Sequence, residues 1–196
     1  MAADHPSLVK GLVLVNSAGP ITPAFSMAEY QAQVDTKKAP PEFLVQVLCG
    51  ALFWYLERTV KSTLAWVYPI APEMTVGWLS EEIERAAADV GAVSVFSAVA
   101  YLPPPRALNY MINEKWAGPT LVLQGAKDPL NDSKGRAAQL AALCSRHVRV
   151  ELLSEAGHCP HDERPELFNA AMIKFASELG PGQARPAYTV QQIVSA

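Results

Sequence analysis

Three short apolar stretches along the chain have the pattern of buried β-strands, at residues 10–15, 119–124 and 148–153. Each is rich in Val and Leu, and each is followed by a turn that contains glycine. The first stretch is continuously apolar after Lys10, which is typical of a parallel strand that helices cover on both faces. The pattern therefore predicts about three parallel strands.

Helical spacing of apolar residues dominates the long segment between the first two strands and returns after the second and third. Ser80 is expected to cap one helix, because Glu81 and Glu82 follow it where acidic side chains favour a helix start. The predicted helices span residues 26–36, 41–66, 80–100, 106–115, 133–145 and 165–179.

The order of these elements is strand, helical insertion, strand, helix, strand, helix, which is typical of an α/β domain with a parallel sheet and flanking helices. We expect the core to comprise residues 1–23 and 116–180, with a helical insertion at 24–115 and a loosely ordered tail at 181–196. The insertion is rich in Trp and Tyr, so it is expected either to cover an apolar small-molecule substrate or simply to form its own core.

The amino-acid composition and net charge argue against nucleic acids and membranes as binding partners. Half of the residues are hydrophobic and the net charge is only −3, which leaves neither the basic face of a nucleic-acid binder nor a polybasic membrane patch. The longest apolar stretch, residues 43–56, is shorter than the ~20 residues that a membrane span needs. The first ten residues resemble neither a secretory signal nor a transit peptide, and three widely spaced cysteines fit a reducing compartment.

Polar residues with catalytic chemistry follow the second and third predicted strands. Asp128 comes just after the second strand and His158 just after the third, so adjacent parallel strands would bring them together at one sheet edge. A carboxylate facing an imidazole can fix its tautomer and stabilise the imidazolium. Taken singly, each residue could instead be an ordinary turn former.

A metal site is the rival interpretation of residues 158–162, which include two histidines, a cysteine and an aspartate. Their spacing matches no zinc signature, so no metal is expected. Asp162 and Glu163 are expected to cap the last helix or to brace the His158 loop. Cys49 and Cys144 are expected to be core residues.

These segments resemble the C-terminal half of an α/β-hydrolase. Residues 4–19 resemble the end of the nucleophile helix and the sixth strand, residues 20–115 the helical cap, residues 124–129 the acid segment, and residues 157–163 the catalytic-histidine loop. The resemblance implies His158 as general base, Asp128 as its orienting acid, and no cofactor. The continuation Cys-Pro-His-Asp-Glu is similar to pheophytinase-like hydrolases of photosynthetic organisms, which suggests a plastid.

The sequence departs from that family at the nucleophile. It contains no G-x-S-x-G elbow: Ser17 follows a strand without the pair of flanking glycines, and Ser94 lies in a helical context. We expect the chain to begin just after the elbow, to lack the first five strands and the oxyanion hole, and to be catalytically deficient alone. The alternative is a non-catalytic binding protein that self-associates through the unpaired edge of residues 10–15.

Overall fold

The computed structural model describes residues 2–144 and 148–179 in full and the backbone of residues 192–195. The chain divides into two compact units. The first unit combines Met1–Phe25 with Pro105–Ala196, and the second is Ser26–Pro104.

The second unit is helical throughout its regular structure. It begins with α1, which Ser26 caps by accepting a hydrogen bond from the Glu29 amide at 3.3 Å. Single-turn 3₁₀ helices lie at Pro72–Thr75 and Val99–Tyr101. The α-helices are α1 (Met27–Thr36), α2 (Glu42–Arg58), α3 (Val60–Val67), α4 (Trp78–Ala87) and α5 (Ala92–Ala98).

Two of the predicted helices are broken in the structure. The helix predicted at 41–66 ends at Arg58, and the axes of α2 and α3 differ by 79°. At the break, Thr59 Oγ1 bonds back to the Tyr55 carbonyl at 2.9 Å, which offers the backbone an alternative to helical continuation. The helix predicted at 80–100 is interrupted at Gly91, whose φ of 93° lies in the left-handed region that glycine tolerates.

The prediction that Ser80 is an N-cap is wrong. Helix α4 begins two residues earlier at Trp78, and Gly77, with φ of 77°, occupies the cap position. Ser80 is buried in the first turn, where its hydroxyl donates to the Gly77 carbonyl at 2.9 Å. A glycine that adopts positive φ can end the preceding segment without steric cost, and sequence patterning did not reveal this.

Helix α2 is apolar but mostly exposed. Val45 is its one buried residue, whereas Phe43 is 74% exposed and Leu48 is 68% exposed. Among the described residues, no single helix is long and apolar enough to cross a membrane. Helices α2 and α3 taken together, although bent, are long and apolar enough by length and composition only.

The first unit is built on a parallel sheet whose strand order follows the sequence. The three predicted strands are confirmed, although the first begins at Leu12 rather than at residue 10. A fourth strand forms within the segment expected to be a loose tail, where a short apolar pair between polar residues gave no strand pattern. The strands are β1 (Leu12–Val15), β2 (Thr120–Gly125), β3 (Val148–Leu153) and β4 (Gln192–Ser195).

Helices flank this sheet. The helix predicted at 106–115 is a short α-helical turn that continues as a π-helix, Met111–Trp116. The helix predicted from residue 133 is present, with Asp132 accepting from the Gly135 amide at 3.0 Å as its cap. The helices of this unit are α6 (Leu108–Tyr110), α7 (Ser133–Leu143), α8 (Pro160–Glu163) and α9 (Pro165–Ser177), with a 3₁₀ turn at Pro6–Leu8.

Alternating residues of β2 pack on opposite faces of the sheet. Val122 joins a buried cluster with Leu140 of α7, whereas Leu121 and Leu123 join a second cluster with Phe175 of α9. Fully burying each such side chain contributes about 1.5–3 kcal/mol. Because β2 and β3 are buried along their whole length, their carboxyl ends are rigid supports for the loops that follow.

Candidate active site

Asp128 and His158 meet at the carboxyl ends of β2 and β3. The Nδ1 atom of His158 lies 3.0 Å from Oδ2 of Asp128. The Asp128 side chain is fully buried, and the His158 side chain is 30% exposed. The structure therefore places a buried carboxylate behind an imidazole that solvent can reach.

The loop after β2 holds the Asp128 carboxylate in several hydrogen bonds. Oδ1 accepts from the backbone amide of Leu130 at 2.8 Å, and Oδ2 accepts from Nδ2 of Asn131 at 3.0 Å. Burial raises the pKa of Asp128, but hydrogen bonds from His158, Asn131 and Leu130 outweigh burial and hold the pKa below its ordinary value. The carboxylate is therefore ionised at neutral pH.

An ionised carboxylate determines which imidazole nitrogen carries the proton. A carboxylate accepts hydrogen bonds and cannot donate them, so the neutral His158 ring carries its proton on Nδ1 and donates it to Asp128. Within the described part of the chain, the ring makes no other hydrogen bond. Its Nε2 lone pair is then available to accept a proton.

Asn16 is a site residue that no sequence motif marks, because it directly follows β1, where a turn residue is expected. Its side chain is buried, and Nδ2 donates to the carbonyls of Gly157 at 2.9 Å and His158 at 2.7 Å. Its Oδ1 accepts from the amide of Gly125 at 2.8 Å. One side chain at the end of β1 thus contacts the end of β2 and the loop that follows β3.

Glu163 supports the same histidine loop from the other side. It lies in the single turn of α8 and is buried, and its Oε2 accepts from the amide of Gly157 at 2.7 Å. Of the two alternatives expected for this residue, bracing the loop is the one observed. The last helix begins at Pro165 without a side-chain cap.

Ser17 and Ser94, the two serines weighed as possible nucleophiles, belong to different units of the chain. Ser17 directly follows Asn16, and its hydroxyl is buried without a hydrogen-bond partner among the described residues. Ser94 lies in α5 of the second unit. No set of three or more His, Cys, Asp or Glu residues is arranged to hold a metal ion in the described ranges.

Solved structures share this architecture at low sequence identity. A meta-cleavage product hydrolase from Pseudomonas fluorescens matches with a TM-score of 0.61 and 16% identity, over 91% of this chain and 60% of that one. A membrane phospholipase A described as a bacterial virulence factor matches with a TM-score of 0.57 and 22% identity, over 91% and 52%. An α/β-hydrolase enzyme from a Medee basin deep-sea metagenome library matches with a TM-score of 0.58 and 15% identity, over 96% and 62%.

These likenesses show the fold, and the chain spans about 60% or less of the first two structures. No curated protein matches it. The model of one protein family, described as alpha/beta hydrolase fold, matches residues 1–165 of the 196-residue chain. The parallel sheet with flanking helices and this match agree, and the protein belongs to the α/β-hydrolase family.

Proposed function

We propose that this chain carries the general base and the orienting acid of an ester-type hydrolase. His158 is the base, and Asp128 holds the ring in the tautomer that leaves Nε2 free. The observation that carries the proposal is the 3.0 Å contact between His158 Nδ1 and Asp128 Oδ2 at the carboxyl ends of adjacent parallel strands. Ligands of open α/β sheets bind at this edge.

In this proposal Nε2 of His158, whose side chain is 30% exposed, removes a proton from the attacking hydroxyl or water. The positive charge that develops on the ring is stabilised by the Asp128 carboxylate, which stays ionised. We propose an apolar small molecule as the substrate, because the helical insertion between the first two strands is rich in Trp and Tyr.

We further propose that this chain alone is catalytically deficient. Its sequence contains no G-x-S-x-G elbow. Loss of the nucleophile in a serine hydrolase costs about 10⁶-fold in rate. A positioned base and acid cannot replace that contribution, so an attacking group must come from outside the residues of this chain.

The base role can be tested on the chain as it is, by acylating histidines with diethyl pyrocarbonate. We expect His158 to be acylated at Nε2, and Asp128→Asn to weaken that preference because an amide does not fix the tautomer. His161 lies three residues away and is exposed, so it is the matched control that should react equally in both proteins. Acylation of His158 at Nδ1 would contradict the proposal.

The deficiency is tested separately with a short-chain p-nitrophenyl ester. We expect equal, background-level turnover by the wild-type chain and by His158→Ala. Turnover that disappears in His158→Ala would show that a nucleophile is present in this chain. That result would overturn the proposed deficiency and leave the role of His158 intact.

A second candidate function is non-catalytic binding through the edge of the sheet, and the position of β1 favours it. Among the described strands β1 pairs with β2 alone, and its four residues are all apolar and half-buried. The backbone amide of Leu12 donates to the carbonyl of Pro119, just before β2, at 3.0 Å, and that of Asn16 donates to the carbonyl of Leu123 in β2 at 2.9 Å. Because successive backbone N–H groups point to opposite edges of a strand, the N–H groups of Val13 and Val15 point to the open edge.

Self-association through this edge predicts a specific mutational pattern. Val13→Pro removes an edge donor without breaking the β1–β2 ladder, so it should abolish concentration-dependent association in sedimentation experiments. Leu14→Lys changes a side chain that packs on the sheet face and should destabilise the fold without removing an edge donor. A wild-type chain that stays monomeric at all concentrations would exclude this function.

A further inference from the structure

We propose that Asn16 is a positioning residue, which fixes the His158 ring by holding the backbone of the histidine loop to the ends of β1 and β2. The inference rests on the proposed function, since it assigns Asn16 to the same base and acid. It goes further, because it makes the direction of Nε2 depend on a residue that touches neither the ring nor the Asp128 carboxylate.

The first step is that both donors and the acceptor oxygen of the Asn16 side-chain amide are engaged in hydrogen bonds. Both N–H groups of Nδ2 point at carbonyls of the histidine loop, those of Gly157 and His158, at 2.9 and 2.7 Å. The oxygen of the same amide accepts from the Gly125 backbone at 2.8 Å. A flipped amide would place its oxygen against two carbonyl oxygens, so its orientation is fixed.

The second step is that Asn16 also reaches the acid. Its backbone carbonyl accepts from Nδ2 of Asn131 at 3.4 Å, and the same Nδ2 donates to Oδ2 of Asp128 at 3.0 Å. That carboxylate oxygen is the one that faces His158. Asn16 therefore links the backbone of His158 to Asn131, the residue whose side chain hydrogen-bonds the Asp128 carboxylate.

The third step is the backbone conformation of Asn16. Its φ of 39° lies in the left-handed region, where non-glycine residues are uncommon and Asn is among those best tolerated. Leaving the extended conformation immediately after Val15 lets the side chain reach across the ends of two strands. Asp would keep this conformation but lose both N–H donors, and glycine would keep it but lose the whole amide.

A matched control exists in the same unit. Asn109 is also buried, and its amide also clamps a loop, with Nδ2 donating to the Thr22 carbonyl at 2.8 Å and Oδ1 accepting from the Thr22 amide at 3.2 Å. It contacts neither Asp128 nor His158. The Asn109→Ala variant therefore measures how the loss of a buried side-chain amide affects this unit in general.

The experiment is NMR of the His158 ring nitrogens in the wild type, Asn16→Gly, Asn16→Asp and Asn109→Ala, with the backbone amide spectrum as the check on folding. We expect a strong preference for the Nδ1–H tautomer in the wild type and in Asn109→Ala. In both Asn16 variants the ratio of Nδ1–H to Nε2–H should fall about tenfold, the effect expected when the single hydrogen bond from His158 Nδ1 to Asp128 is lost.

The outcomes separate the two proposals. A wild-type ring without a preference for Nδ1–H overturns the assignment of His158 and Asp128 themselves. A wild-type preference that persists in a folded Asn16→Gly or Asn16→Asp protein overturns only the role of Asn16. An equal loss in Asn109→Ala also overturns it, since the effect would then be general softening of the unit. Having two Asn16 variants keeps the test decisive if one fails to fold.

Discussion

Gly125 and Gly157 lie backbone against backbone. A Cβ at position 125 would overlap the carbonyl oxygen of Gly157 and crowd the carbonyl group of Ala156. Gly125 is the last residue of β2, and Gly157 directly precedes His158. The spacing between the acid loop and the histidine loop is therefore set by the absence of a side chain at Gly125.

Gly125→Ala should separate these two loops. The atoms in the way are backbone atoms at the end of a buried strand, which cannot move aside as a flexible side chain would. We expect the free energy of unfolding to fall by about 3 kcal/mol, at the upper end of overpacking costs. The contact between Asp128 and His158 should lengthen as well. Urea denaturation measures the first effect, and NMR of the His158 ring measures the second.

Gly50 provides the control for this substitution. It lies inside helix α2, and an added Cβ would meet nothing within 4 Å. Gly50→Ala should therefore stabilise its helix by about 0.5–1 kcal/mol. A Gly125→Ala protein as stable as the wild type would refute the close approach of Gly125 to Gly157.

Much of this arrangement could be predicted from the sequence, because its signals are local. The third strand was predicted at the residues where β3 is found, because a short stretch rich in Val and Leu between turn residues is typical of a strand, even with Arg149 and Glu151 inside it. The meeting of Asp128 and His158 follows from a general rule about the ends of parallel strands. That rule needs only the order of the strands and the positions of their last residues.

The supporting residues could not be found in this way, because their roles depend on contacts between distant parts of the chain. Asn16 bonds to residues more than a hundred positions away, and the need for glycine at position 125 comes from the backbone at Gly157. The break between α2 and α3 at Thr59 was missed for a different reason. The apolar pattern continues through it, so periodicity alone gives no boundary.

The lowered pKa of Asp128 predicts how stability depends on pH. A carboxyl whose pKa is lower in the folded state stabilises the fold above its ordinary value of 3.8. That contribution is lost as pH falls through the lower, folded value. We therefore expect the stability difference between the wild type and Asp128→Asn to shrink as the pH falls through the folded pKa of Asp128. Urea denaturation across this pH range provides the measurement.

Asp35 is a suitable comparison for the acid series. It is exposed on α1, where its carboxylate accepts from Nε2 of Gln31 at 2.9 Å. Exposed pairs of this kind contribute little, so Asp35→Asn should change stability by less than about 0.5 kcal/mol at any pH. If Asp128→Asn behaved in the same way, the network around Asp128 would not favour its ionised form.

Glu163 should control the rigidity of the histidine loop. Its carboxylate satisfies the amide of Gly157, and a buried amide left without an acceptor costs about 1–3 kcal/mol. We expect Glu163→Ala to speed hydrogen exchange at Gly157, and Glu163→Gln to restore most of the protection through its amide oxygen. Glu166, exposed at the start of α9, supplies the control, because Glu166→Ala should leave exchange at Gly157 unchanged.

Cys144 should be chemically silent in the folded protein. Burial at the end of α7 raises the pKa of its thiol to about 11, so the reactive thiolate is scarce near neutral pH. Cys49, which is half-buried in α2, should be alkylated by iodoacetamide first. Cys144 should be labelled only after denaturation, as mass spectrometry of the digested protein would show.

Because the pKa of the Cys144 thiol is raised in the folded protein, stability should also fall as pH rises above the ordinary thiol value of 9.0. Cys144→Ala should remove that alkaline loss, and alkylation of native Cys144 as fast as Cys49 would mean that this helix end is open to solvent.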